Sequence, residues 1–198
     1  MKPLFAVLIG LALSILHPYK LDDLPPEHSL VHRYNAAAAY CIKAIDLEMP
    51  DATDGEREKY ARQLFEWSYE ESSWFVSPYA CKVGTVGCLP SGVLAGTNDD
   101  GNGCGLVQTH VDEIQSLSNW KGVLDPTWTC KAVRHDGVLG FRVAIRVLKK
   151  LEADCGSTAA AWSAYAGKLG CTTYIKPLVK QRCKRAGLTE LCELPEAA

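Results

Sequence analysis

Leu64-Phe65-Glu66-Trp67-Ser68-Tyr69-Glu70-Glu71-Ser72-Ser73-Trp74 sets two acids side by side in a run with helical character. Side chains three, four and seven positions apart share a helix face. Leu64, Trp67, Ser68, Glu71 and Trp74 fall on one face, and Lys59, Gln63, Glu66 and Glu70 on the other. Glu70 therefore belongs to a charged, solvated stripe and Glu71 to an apolar one. A carboxyl among apolar side chains tends to keep its proton and can donate it in catalysis. The structural alternative is a buried salt bridge from Glu71 to an arginine of the 134–146 region.

A second segment follows: Asn98-Asp99-Asp100-Gly101-Asn102-Gly103-Cys104-Gly105-Leu106-Val107-Gln108. Its alternating glycines allow positive φ and close approach of backbone to a ligand. It lacks the ligand spacing of an EF-hand, and no Cys-x-x-Cys pair is present, so neither a calcium loop nor a structural zinc site is expected. No cofactor is implied.

Around these segments the 198 residues suffice for one compact domain. Met1-Lys2-Pro3 and an apolar run to Leu16 read as a signal peptide over 1–19, with an uncleaved anchor as the alternative. That leaves 20–198 as the folded domain. Nine cysteines, all beyond this run, point to an oxidising compartment and a disulfide framework with at least one thiol left over. The local pairs Cys81–Cys88, Cys155–Cys171 and Cys183–Cys192 are the simplest guesses. The net charge of −2 says little about partners. The basic residues gather toward the C-terminus, where Lys176, Lys180, Arg182, Lys184 and Arg185 either face an anionic polymer or form a solvated helix face.

Helical periodicity predicts helices over 28–47, from a cap at Asp54 to about Ser73, from Gly105 to Leu117, over 136–153, 159–166 and 174–186. Asp125-Pro126 starts a turn. Residues 76–103 have no helical period, and Lys82–Val86 and Val93–Ala95 read as short strands of a small β-hairpin or irregular lobe. The expected fold is a mostly α domain with that small lobe, stabilised by disulfides.

With both segments and Ala164-Tyr165-Ala166-Gly167 in view, the chain resembles goose-type lysozymes and soluble lytic transglycosylases, the family 23 glycoside hydrolases. Glu71-Ser72 resembles the family's catalytic glutamate step, and Asp99 to Gln108 is similar to its Asp-x-Gly-Asn-Gly-x-Gly-Leu-Met-Gln segment. Ala164 to Gly167 is similar to a shortened Ala-Tyr-Asn-Ala-Gly. The resemblance spans residues 55–186. It implies an α+β lysozyme-like fold and cleavage of β-1,4 bonds in peptidoglycan, or in chitin for some relatives. It implies Glu71 as general acid and Asp99 as the residue that positions water. Asn102, Gly105, Leu106, Gln108 and His110 would line the sugar cleft, and Tyr165 would orient Glu71 or contact substrate.

Three departures stand out. His110 occupies the place of a second aspartate, with Asp112 two residues on. The motif asparagine beside Tyr165 is missing, and the segment between Glu71 and Asp99 is long. Hydrolysis with a second carboxylate and internal attack giving 1,6-anhydro sugars both remain open, as does a non-catalytic glycan-binding protein on the same fold. The expected protein is secreted or periplasmic and monomeric. It has no nucleic-acid partner and no stable membrane insertion once the leader is removed.

Overall fold

The computed structural model describes residues 2–15, 30–72, 103–166, 169–171 and 177–189. These are mostly helical: α1 (Lys2–Ile15), α2 (Leu30–Glu48), α3 (Asp54–Ser72), α4 (Val111–Ser116), a 3-10 turn (Ser118–Trp120), α5 (Cys130–His135), α6 (Gly137–Cys155), α7 (Thr158–Tyr165) and α8 (Pro177–Ala186). No strand occurs among the described residues. The strands expected at Lys82–Val86 and Val93–Ala95 lie outside them, and an isolated antiparallel bridge joins Cys104 to Thr109, beyond that lobe.

Helix α6 organises the domain. Asp136 caps its start, accepting from the amides of Val138 and Leu139, and Gly156 at φ 72° ends it. Phe141, Ala144, Ile145 and Leu148 pack into one core cluster with α1, α2 and α3. Val143, Val147 and Leu151 pack into a second with Ile114, Trp120, Leu124, Trp128 and Val133. The helix is thus covered on two sides, where the sequence suggests a single buried stripe. Helix α3 starts on a capping box: Glu56 N–H donates to Thr53 Oγ1 (3.3 Å), and Thr53 N–H donates to Glu56 Oε2 (2.8 Å). The cap is therefore Thr53 rather than Asp54.

The N-terminal apolar run forms α1, with Leu8, Leu11 and Ala12 buried in the first cluster. No helix among the described residues is long and apolar enough to cross a membrane. Disulfides join Cys155 to Cys171, the expected local pair, and Cys104 to Cys130, which local spacing does not suggest. Cys183 is disulfide-bonded as well, while Cys81, Cys88 and Cys192 lie outside the described residues. Cys41 is a buried free thiol against Ala61 O, and burial pushes its pKa up.

A charged clamp fastens α2 to α6. Glu48, its side chain 9% exposed, accepts from Arg142 Nε (2.6 Å) and Arg146 Nε (2.7 Å). Both guanidinium groups stack on Trp128, at 4.7 and 4.5 Å from the ring centroid. Two of the arginines in the 134–146 region, Arg142 and Arg146, are thus committed to Glu48 rather than Glu71. Burial pushes the Glu48 carboxyl upward, but the bonds and charges of Arg146 and Arg142 outweigh it and hold it below its ordinary value of 4.5. A carboxyl held low in the folded state contributes stability above its ordinary pKa and loses it as pH falls through the lowered value. Glu48→Gln is therefore expected to be less stable than wild type at pH 7, with the gap closing below about pH 4. Urea denaturation at both pH values checks this.

Candidate active site

Glu71 stands on the last turn of α3. Its Oε1 accepts from Arg182 Nη1 of α8 at 2.7 Å, and the two side chains are 31% and 7% exposed. The Arg182 guanidinium lies over the Trp67 ring, 4.0 Å from its centroid. Trp67 in turn packs on Trp162 (4.8 Å) and edge-on to Tyr165 (5.6 Å). The glutamate is thus half-exposed and ion-paired, not a carboxyl enclosed by apolar groups. A salt bridge does form, but its arginine comes from α8.

Among the described acids of α3 the most deeply buried is Glu66, 1% exposed, in an ion pair with Arg185 Nε at 3.0 Å. Gln63 beside it is 4% exposed. At Gln63 and Glu66 the stripe expected to face solvent is covered by α8, through Cys183 and Arg185. A single-helix face analysis provides for one buried side, and α3 has two. The Glu70 side chain and Trp74 lie outside the described residues.

From Cys104 to Thr109 the glycine segment forms a tight turn, not the start of a helix. Cys104 and Thr109 exchange backbone hydrogen bonds at 3.1 Å each way, and Gln108 N–H donates to Gly105 O at 3.3 Å. Gly105 and Gln108 both take positive φ, 68° and 48°. For glutamine this is an uncommon, strained conformation of the kind that gathers at functional sites. The Gln108 side chain reinforces the turn through Nε2 to Gly105 O at 2.6 Å. Tyr165 holds it from α7: its hydroxyl donates to Val107 O (3.2 Å) and shares a hydrogen bond with Thr109 Oγ1 (2.5 Å). Burial pushes the Tyr165 phenol well above its usual pKa, so it stays a neutral donor. The Cys104–Cys130 disulfide fastens the turn to α5.

Between α3, this turn, α4 and the end of α7 lies a cleft of about 480 Å³. Glu71, Gln108, His110 and Tyr165 line it, together with Trp67, Val107, Thr109, Glu113, Ile114, Ala166 and Leu169. Four of the residues singled out in the sequence therefore meet in one place. Two others stand behind the wall. Leu106 is fully buried in the core, and Gly105 packs against Val133, where an added Cβ would lie 2.7 Å from Cγ1. Their part is to let the turn approach α5 and α6, not to line the cleft. Tyr165 directs its hydroxyl to the turn rather than to Glu71. Asp112 is absent from the lining and accepts instead from Cys130 N–H at 3.0 Å. Asp99, Asp100 and Asn102 lie outside the described residues.

Glu113 is a cleft residue that sequence reasoning missed, as is the pairing of Arg182, which stands outside the lining, with Glu71. Arg182 shares a helix face with Val179, Cys183 and Ala186, all buried, and that spacing carries the signal. Glu113 lies three residues after His110, and its Oε2 meets His110 Nδ1 at 3.0 Å. Comparison of the chain with family models, with curated proteins and with solved structures finds no match in any of the three.

Gly105→Ala adds a methyl group where Val133 stands and forces alanine into left-handed backbone. It is expected to cost about 1–3 kcal/mol. Urea denaturation measures the loss, and faster hydrogen exchange at Thr109 N–H locates it in the turn. Tyr165→Phe removes two hydrogen bonds without a change of shape. The expected loss is about 1–2 kcal/mol, with the same amide opening more often.

Proposed function

We propose that this protein is a secreted glycosidase that cleaves β-1,4 bonds of peptidoglycan, with Glu71 as its general acid. One observation carries the reading. Glu71, Gln108, His110 and Tyr165, singled out from separate stretches of sequence, line a single open cleft. Such a groove, bordered by an aromatic ring, a carboxyl and a backbone turn, suits a sugar chain.

In this reading the glycosidic oxygen sits near Glu71. Arg182 occupies Oε1, so Oε2 is the oxygen left to face the leaving sugar. Trp67 gives the charged pair a flat support and leaves the carboxylate little freedom to turn. The backbone of Val107 to Thr109 forms the facing wall, held in place by Tyr165. The described disulfides fit an oxidising compartment, in line with secretion. The resemblance assigns water activation to Asp99. Chitin oligomers are the alternative substrate, and internal attack giving 1,6-anhydro sugars is the alternative outcome.

Purified protein incubated with peptidoglycan, and in parallel with chitin oligomers, tests the reading by product mass. Hydrolysis adds one water per bond broken, whereas anhydro products lack it. Glu71→Gln is expected to lower turnover by about 10²–10⁴-fold while the circular dichroism spectrum stays unchanged. Full activity in that variant, or binding of glycan with no cleavage by the wild type, would sink the enzyme.

A further inference from the structure

An acid beside a glycosidic oxygen is half of a hydrolase. Water adds to the anomeric carbon when a second group takes its proton. The carboxylate of Asp112 is occupied by the Cys130 amide at 3.0 Å, and position 110 holds a histidine.

The cleft contains a second carboxyl all the same. Glu113, on the first turn of α4, lines the same space as Glu71. Its side chain is 65% exposed, so solvent reaches it, and its Oε2 lies 3.0 Å from His110 Nδ1. The histidine is firmly set in the backbone. Thr109 before it is bridged to Cys104, and Val111 after it is fully buried. Ile114, 1% exposed, anchors the helix that carries Glu113. The two carboxyls thus reach the cleft from different elements, Glu71 from α3 and Glu113 from α4. Inversion uses two carboxyls flanking the bond, about 6.5–9.5 Å apart, with water between them.

Resting on the glycosidase reading above, the geometry points to Glu113 as the general base of that reaction, with His110 as the residue that positions it. The Glu113 carboxylate takes a proton from water. The water oxygen bonds to the anomeric carbon, the bond from that carbon to the leaving oxygen breaks, and the leaving oxygen takes the proton of Glu71. One water is added across one bond, no electrons are exchanged with a third party, and solvent restores both carboxyls.

The test uses the full chain and purified peptidoglycan, with and without sodium azide. Glu113→Gln is expected to keep the wild-type denaturation midpoint, because the side chain is exposed. It is expected to lose about 10²–10⁴-fold in kcat with little change in KM. Azide, a small anion that needs no deprotonation, is expected to restore bond cleavage and leave a sugar azide of inverted configuration. His110→Ala is expected to lower kcat by less, again at nearly constant KM. Wild-type turnover in Glu113→Gln, a loss that azide does not restore, or wild-type products that are all anhydro sugars overturns the base assignment and leaves the glycosidase reading standing. Azide rescue of Asp99→Asn in place of Glu113→Gln moves the base to Asp99 and overturns it as well. A wild type that cleaves no glycan removes the glycosidase reading and the base assignment together.

Discussion

A guanidinium cannot shed its charge, so a buried arginine must be given a partner. Arg182 is nearly enclosed between α3 and α8, and it has two: the Trp67 ring beneath it and the Glu71 carboxylate beside it. That pairing fixes how α8 lies along α3. It brings Arg185 to Glu66 and holds Glu71 at the mouth of the cleft. Truncating Arg182 would leave Glu71 without the group that aims it.

A second constraint meets the first at Trp67. The ring touches Trp162 and Tyr165, both of α7. Tyr165 then grips the 107–109 turn through its hydroxyl. Acid and turn are therefore joined through one aromatic cluster rather than through each other. Of the two roles expected for Tyr165, a direct bond that orients Glu71 is not the one its hydroxyl takes. It acts on the wall opposite the acid, and does so as a buried phenol that stays protonated.

Much of the helical plan was legible, because apolar spacing and caps leave local marks. Asp136, Gly156 and Ser157 bound α6 and α7 close to where the pattern starts and stops. The glycines marked a turn, yet the helix after it begins only at Val111, since the bridge at Cys104–Thr109 and two positive φ angles come first. What could not be read arises from pairs of elements. The burial of Glu66 and Gln63 depends on α8, more than a hundred residues away. The same distance hid the Arg182 partnership, because a run of basic residues looks solvated until one knows which face is covered. The Cys104–Cys130 link and the Asp112–Cys130 bond both need α5 beside the turn, and no local spacing announces that. Glu113 was overlooked for a different reason. The resemblance marks aspartates, and the glutamate one position past Asp112 carries no such mark.

The free thiol of Cys41 has a consequence for assembly. An odd number of cysteines invites disulfide exchange, which proceeds through a thiolate attacking a formed bridge. Cys41 is fully buried on α2, and its environment disfavours the thiolate. Once α2 and α3 close over it, this thiol is silenced by the fold itself. Exchange then waits for the core to open, so the packing of two helices acts as a lock on the covalent pattern.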